Sequence, residues 1–151
     1  MISELDLYSE KDSPYYVAFR LAVECGLRLG EIVGLSKQDV SLERNQLHIH
    51  RQWIDKEGAC GPTKGRRERF VPFHPDSELK VILTEAMERS RHPEAIVVTR
   101  NGTRVLNRKL SGYHFNKLVE LSQVPKIRFH DMRHTFASWY MIEVGDIWSL
   151  R

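Results

Sequence analysis

The segment from residue 46 to residue 73 constrains the fold most, because its pattern differs from the sequence on either side of it. Residues 46–51 alternate in the way a half-buried strand does, and residues 68–73 form a second β-rich run. The stretch between the two runs is interrupted by turn-forming residues, namely Gly58, Gly61, Pro62 and Gly65. We therefore predict two or three antiparallel strands in one small sheet.

Apolar residues recur at helical spacing before and after this segment. Residues 14–24 begin with Pro14 and predict a core helix that ends at Gly26, and residues 30–35 predict a shorter helix. A third helix is predicted after Pro75 from Leu79, Ile82, Leu83 and Met87, ending near His92 and Pro93. The fold class that follows is α+β, mainly α, with a small antiparallel sheet near the N-terminal side.

Three later segments complete the predicted pattern. Residues 95–99 are short and β-rich, and residues 110–121 carry apolar positions at helical spacing. A final helix is expected to end around Gly145, with Trp148 packing against it. Residues 36–39, between the second helix and the sheet, are predicted to form a turn.

Composition excludes membrane and secreted classes of protein. The 151 residues are 41% hydrophobic and 28% charged, and no window is apolar for long enough to cross a bilayer. The first thirteen residues lack the pattern of a signal peptide, and two cysteines, Cys25 and Cys60, make a poor disulfide framework. We expect an intracellular, reducing compartment.

Charge is divided unevenly along the chain. Residues 1–60 hold seven basic and ten acidic side chains, whereas residues 61–151 hold sixteen and ten, so the two parts carry −3 and +6. Such an asymmetry favours a polyanion partner, because an excess of positive charge attracts negative charge at a distance. A solvated basic face accounts for the same numbers equally well.

Three separate motifs suggest a site that binds a phosphate. His130 and Arg133 stand one helical turn apart in residues 130–138, so both side chains can point into one cleft. Arg28 lies between Gly26 and Gly30, and Lys64 lies in a basic, glycine-containing bend that could form a hairpin tip. Two guanidinium groups, an ammonium and an imidazole suit phosphoryl transfer without a metal, which needs charge neutralisation and protonation of the leaving group.

These motifs resemble those of the tyrosine recombinases, or phage integrases, over most of the chain. The matching pieces occur in the expected order: Gly26-Leu27-Arg28-Leu29-Gly30-Glu31, then Thr63-Lys64-Gly65 with Arg69-Phe70-Val71-Pro72, then His130-Asp131-Met132-Arg133-His134-Thr135-Phe136-Ala137. The resemblance implies a recombinase catalytic domain that joins and breaks double-stranded DNA together with other protomers in a synaptic complex. It implies no cofactor, no metal and no membrane, and a cytoplasmic, nucleoid-associated location.

The resemblance also implies a role for each motif residue. Arg28 and Arg133 would bind the scissile phosphate, Lys64 would protonate the departing 5′ oxygen, and His130 would assist proton transfer or hydrogen-bond the phosphate. Glu31 would hold the Arg28 guanidinium in orientation. We predict that His134 is either a packing residue or a supporting residue of the same site. Two basic clusters, which also include Arg100, suit contact with the DNA backbone, and the members predicted to bind DNA are Arg66, Arg67, Arg69, Arg104, Arg108 and Lys109.

The family's nucleophile is a tyrosine on a later helix, and no tyrosine of this chain stands in that context. We therefore expect residues 1–151 to be a single integrase-type catalytic domain, truncated at its C-terminus and without the N-terminal DNA-binding domain. Such a chain would not cleave DNA unaided. One alternative is an inactive DNA-binding remnant or regulator of the same fold, and a weaker one is a metal-dependent nuclease built on His130 and His134. The remaining histidines receive no function.

Overall fold

The computed structural model describes Tyr8 and residues 13–144. Within residues 13–144 the α-helices are α1 (Pro14–Cys25), α2 (Leu29–Gly34), α3 (Glu78–Arg89), α4 (Phe115–Leu121) and α5 (Phe129–Val144). The strands are β1 (Val40–Ser41), β2 (Gln46–Ile49), β3 (Arg51–Ile54), β4 (Ala59–Pro62) and β5 (Arg69–Pro72). The predicted class, α+β with mainly helices and a small amount of antiparallel sheet, is confirmed.

The strands form one long hairpin that is divided in two at His50. β2 pairs with β5, with Leu47 opposite Val71, and β3 pairs with β4, with Trp53 opposite Cys60. β1 adds a short third strand beside β2. The single predicted sheet is thus two sheets, because His50 leaves the ladder and turns its ring to a carboxylate, Asp39. Alternation in the sequence continues through this break and could not reveal it.

The basic bend around Lys64 is an insertion in the hairpin and not its tip. The tip is the turn at residues 55–58, where Gly58 has a φ of 60° and donates to the carbonyl of Ile54. Residues 63–68, which we call the 63–68 loop, connect β4 to β5 and interrupt the returning strand next to His50. The prediction of a hairpin tip at Lys64 was therefore wrong in detail. The sequence does not distinguish the two turns, because both contain glycine and several charged residues.

Two glycines let α2 lie directly on the hairpin. A Cβ atom at Gly30 would stand 3.1 Å from the carbonyl oxygen of Trp53, and one at Gly34 would stand 3.0 Å from its backbone nitrogen. These positions are four residues apart and so share one face of the helix. The close approach fixes α2 and its first residues against β3.

The core lies between the helices and one face of the hairpin. α1 buries Val17, Leu21 and Cys25 among its inward positions, and the third predicted helix buries Leu79, Ile82, Leu83 and Ala86 as α3. α1 begins at Pro14 behind Ser13, whose Oγ accepts the Tyr15 N–H, and it ends at the left-handed Gly26. Burial of this apolar stripe supplies the main stabilisation of the fold.

One local prediction is confirmed and two differ from the structure. Residues 37–39 form a short 3₁₀ turn within the predicted turn, whereas residues 95–99 contribute only an isolated bridge between Val98 and Arg104. The predicted helix over 110–121 begins as a π-helical turn at Lys109–His114 and continues as α4. Helical spacing of buried residues does not separate a widened turn from a regular one over so short a segment.

The last predicted features are only partly covered. α5 is described to Val144, so the expected end near Gly145 and the packing of Trp148 lie outside the described residues. Among the described helices, none combines the length and apolarity that a bilayer-spanning segment needs.

Candidate functional site

The end of α1 brings two distant motifs together. Gly26 adopts φ 62° and ψ 28°, a left-handed conformation that ends the helix, and its N–H donates to the carbonyl of Ala22. A Cβ atom there would stand only 2.3 Å from the Phe136 ring of α5. Glycine is therefore required both for the turn and for the close approach of α5. One turn earlier on α5, Arg133 donates from Nη1 to the Gly26 carbonyl oxygen at 2.6 Å.

Arg28 immediately follows this turn and precedes α2. Its backbone is extended, and its N–H donates to Oε2 of Glu31 at 2.8 Å, which satisfies a free donor at the start of the helix. Its guanidinium lies 3.3 Å from Oε1 of the same carboxylate. Glu31 therefore holds Arg28 through both backbone and side chain.

Arg69, the first residue of β5, also pairs with Glu31. Its two terminal nitrogens each donate to one oxygen of Glu31 at 2.8 Å, a bidentate pair. The Glu31 side chain is only 1% exposed. Burial alone would raise the pKa of Glu31, but the hydrogen bonds from Arg69 and from the Arg28 N–H, together with both positive charges, hold it below its usual value. Glu31 is thus a buried, ionised carboxylate.

The charges of Arg28, Glu31 and Arg69 also act on Arg133. Burial lowers the pKa of its guanidinium, the positive charges of Arg28 and Arg69 lower it further, and Glu31 acts in the opposite direction. Arg28, Glu31, Arg69 and Arg133 form what we call the arginine cluster. Three guanidinium groups face one carboxylate, so the cluster has two positive charges in excess and is suited to binding an anion.

His130 lies on the same helix, one turn before Arg133 and exposed to solvent. Desolvation lowers the pKa of its imidazole, and the positive charges of His134, Arg133 and Arg128 lower it further. The ring is therefore neutral near pH 7 and can accept or donate a hydrogen bond. His134 meets it edge to face, with the ring centroids 4.9 Å apart.

Lys64 is not brought into this group. It is exposed in the 63–68 loop, which is closed by the Arg66 N–H donating to the Thr63 carbonyl at 2.8 Å and the Thr63 hydroxyl donating to the Arg67 carbonyl at 2.7 Å. Within the described part of the chain, no contact joins Lys64 to an arginine of the cluster. The role predicted for Lys64 stays a prediction that requires movement of this loop.

The predicted DNA-contacting arginines separate into exposed and structural ones. Arg66 and Arg67 are exposed in the 63–68 loop, and Arg108 and Lys109 are exposed at the start of the π-helical turn. Arg69 is instead engaged with Glu31 through both terminal nitrogens, so this pairing holds its side chain in the cluster. Sequence reasoning missed this pairing because an arginine beside a basic bend has the same local pattern in either role.

Arg104, one of the predicted DNA-contacting residues, is buried in the structure. Its side chain is buried, donating to the carbonyl of Val33 at 2.6 Å and to that of Glu94 at 3.1 Å, and it stacks 4.3 Å above the Trp53 ring. Burial lowers the pKa of its guanidinium. The prediction that Arg104 contacts DNA was wrong, because the guanidinium is used to tie the end of α2 to the segment before the π-helical turn.

Comparison with known proteins agrees with the motif resemblance. Residues 2–150 match the model described as the Phage integrase family. Tyrosine recombinase XerC of Chromobacterium violaceum is 28% identical over 149 residues, covering 97% of this chain and 46% of that protein. Tyrosine recombinase XerC of Staphylococcus aureus strain USA300 is 26% identical over 137 residues, covering 87% and 41%. The chain thus spans just under half the length of these curated relatives.

Solved structures confirm the fold. The Tn1549 transposon integrase in complex with a circular intermediate DNA superposes with a TM-score of 0.73 at 20% identity, covering 85% of this chain and 46% of that one. The XerA recombinase gives 0.72 at 19% identity, covering 95% and 48%, and the lambda integrase catalytic core gives 0.71 at 17%, covering 95% and 80%. At these identities the likeness concerns architecture alone.

Proposed function

The chain belongs to the phage integrase family, and from that premise we propose that it acts in site-specific DNA recombination. Its task is to bind and position the scissile phosphate of double-stranded DNA for tyrosine-mediated cleavage and rejoining. The arginine cluster carries this proposal, because two uncompensated positive charges at a half-buried site favour a phosphodiester anion. The XerC relatives, named as tyrosine recombinases, support the same reaction class.

Arg28 and Arg133 are the phosphate ligands in this proposal. Arg133 uses Nη1 on the Gly26 carbonyl, which leaves its other N–H donors for the two non-bridging oxygens. The Arg28 side chain is 38% exposed and can turn one edge of its fork to the same phosphate. Arg69 and Glu31 act as positioning residues, since both terminal nitrogens of Arg69 are already engaged.

His130 and Lys64 would move protons during the reaction. In the cleavage step the tyrosine hydroxyl gives its proton to a base and its oxygen forms a bond to phosphorus. The bond to the 5′ oxygen breaks, and that oxygen takes a proton from the Lys64 ammonium. The neutral His130 ring hydrogen-bonds a phosphate oxygen or relays a proton. Lys64 lies in an exposed loop, so we propose that DNA binding draws the 63–68 loop over the arginine cluster.

We propose that no tyrosine among these 151 residues is the nucleophile, and that these residues alone bind DNA without cleaving it. Tyr8 is buried against Tyr15 and Phe19, and Tyr140 packs near the Phe136 ring. Incubation with a nicked suicide substrate tests this, because a covalent protein–DNA adduct would contradict it. In the full reaction we propose double-stranded DNA and other protomers as partners, acting in the cytoplasm at the nucleoid.

Duplex binding at increasing salt tests the phosphate site. We expect Arg28→Ala and Arg133→Ala each to reduce the salt slope by about one phosphate contact. Arg91→Ala, which removes an exposed arginine outside the cluster, is the control and should bind as the wild type does. Equal slopes for the wild type and both cluster variants would refute the assignment.

A catalytically inactive DNA-binding module remains a second candidate, favoured by the position of Lys64 outside the arginine cluster. Orthovanadate added to a nicked duplex separates the two, because it mimics the phosphorus in the transition state. A recombinase site should bind the vanadate-loaded nick more tightly than the nick alone, and Arg28→Ala and Arg133→Ala should abolish that gain. A module that only holds the backbone would gain nothing from vanadate.

A further inference from the structure

A group of metal-ligating side chains lies on the hairpin, apart from the arginine cluster. Asp39, at the end of the 3₁₀ turn, is buried, and its Oδ2 accepts hydrogen bonds from the N–H and the hydroxyl of Ser36 at 2.9 Å each. Its other oxygen, Oδ1, lies 2.8 Å from Nε2 of His50. One carboxylate oxygen is therefore fixed by the turn, and the other is presented to an imidazole.

His48 supplies a second imidazole beside the first. It is two residues before His50, on the same side of the chain, and the two rings stack with centroids 4.6 Å apart. The Phe70 ring supports His48 from behind at 4.7 Å. About a third of each histidine side chain is exposed, so an ion can enter from solvent.

We propose that Asp39, His48 and His50 bind one divalent first-row transition-metal ion such as Zn²⁺. One ligand atom from each lies within 4.8 Å of the other two. Ligands about 2.0–2.1 Å from a tetrahedral zinc ion stand roughly 3.4 Å apart, so small side-chain rotations suffice to close the site. Two imidazoles and one carboxylate suit such an ion better than they suit Mg²⁺ or Ca²⁺, which prefer oxygen ligands.

Glu68 provides the fourth ligand. Its Oε2 lies 2.9 Å from Nε2 of His48, and its side chain is 69% exposed and free to rotate toward an ion. Asp39 and Glu68 contribute two negative charges, and Arg51 contributes one positive charge 3.5 Å from Oδ2 of Asp39. These three groups together carry one negative charge, which favours a cation, and the Ser36 bonds to Asp39 supply the supporting shell that metal ligands need.

Occupancy would also affect the 63–68 loop. Glu68 is the last residue of that loop, and Lys64 is four residues earlier in it. A metal bond to Glu68 would fasten the end of the loop to β2 and reduce the freedom of Lys64. The ion is thus a structural element of the loop and takes no part in the chemistry.

Calorimetric titration of the whole chain with ZnCl₂ near pH 7.5 tests the proposal. We expect one ion per chain at this site, no response to MgCl₂, and affinity at least about tenfold weaker in His48→Gln and in His50→Gln. Glu68→Gln, an exposed change that leaves the strands intact, should weaken binding several-fold. His74→Gln, a histidine outside the group, is the matched control and should bind as the wild type does.

Three outcomes of the zinc titration would contradict the proposed metal site. Absence of zinc binding, or binding that survives both His48→Gln and His50→Gln, would overturn the proposal and leave two ordinary histidine–carboxylate hydrogen bonds. Loss of all zinc binding in His134→Gln would also overturn it, by placing the ion at the His130 and His134 pair on α5. Circular dichroism of each variant confirms that it is folded.

Discussion

Replacing Glu31 by glutamine removes the only negative charge of the arginine cluster while keeping the shape of the side chain. Breaking a buried ion pair by deleting one partner costs about 3–5 kcal/mol. The Arg69 and Arg28 side chains are 26% and 38% exposed, so water recovers part of that loss. We expect the free energy of unfolding near pH 7 to fall by about 2–3 kcal/mol.

The effect of Glu31→Gln should depend on pH in a definite direction. The pKa of Glu31 in the folded protein is below its ordinary value, because the hydrogen bonds and charges of Arg69 and Arg28 outweigh its burial. Such a carboxyl stabilises the fold above its unfolded pKa of about 4.3, and this contribution is lost as pH falls through the folded pKa. The variant and the wild type should therefore converge in acid.

Urea unfolding followed by far-ultraviolet circular dichroism near pH 7 and near pH 3 measures both effects. Glu43→Gln, which changes an exposed carboxylate, is the control and should alter stability by less than about 0.5 kcal/mol. A loss below about 1 kcal/mol at neutral pH, or a loss of equal size at both pH values, would refute the ionised, three-arginine environment assigned to Glu31.

Two further pairs of substitutions test other parts of the structure. Gly26→Ala should lower the free energy of unfolding, measured by thermal denaturation, by about 2–4 kcal/mol, because it combines left-handed backbone strain with a clash against Phe136. Gly58 has a φ of 60° but open space around it, so Gly58→Ala should lower it by only about 1 kcal/mol. Equal losses would contradict the contact between Gly26 and α5. Arg104→Ala should destabilise the chain by about 2–3 kcal/mol without changing the salt slope of DNA binding. Arg108→Ala should do the reverse, lowering the slope by about one with stability unchanged, and a swapped result would show the burial assignment to be wrong.

Helices with a long apolar stripe were predictable because their information is local. Pro14 and Gly26 mark the ends of α1 through their own backbone preferences, and Leu79, Ile82 and Leu83 lie on one face of α3 whatever they contact. Prediction from the spacing of apolar residues failed where a regular and an irregular element have the same spacing. The break at His50 and the π-helical turn before α4 keep the alternation or spacing that a regular element would have.

The site was predictable as a set of residue types and not as an arrangement. Motif order identified Arg28 and Arg133, which the fold brings to the same turn across 105 residues of sequence, since Arg28 follows Gly26 and Arg133 donates to its carbonyl. The bidentate pairing of Arg69 with Glu31 and the separate position of Lys64 are outcomes of how the hairpin lies on α2. No local pattern carries that information.

The amino-acid sequence by itself determined most of the helices and strands, the excess of positive charge and the candidate residues for binding a phosphate, because each is set by residue type and by neighbours a few positions away. Only the tertiary structure decided which arginine is buried and which faces solvent. Arg104 and Arg108 have the same chemistry and stand four residues apart, yet one stacks on Trp53 and the other remains in water. That difference arises from packing against distant segments, whose free energy is absent from any short stretch of chain.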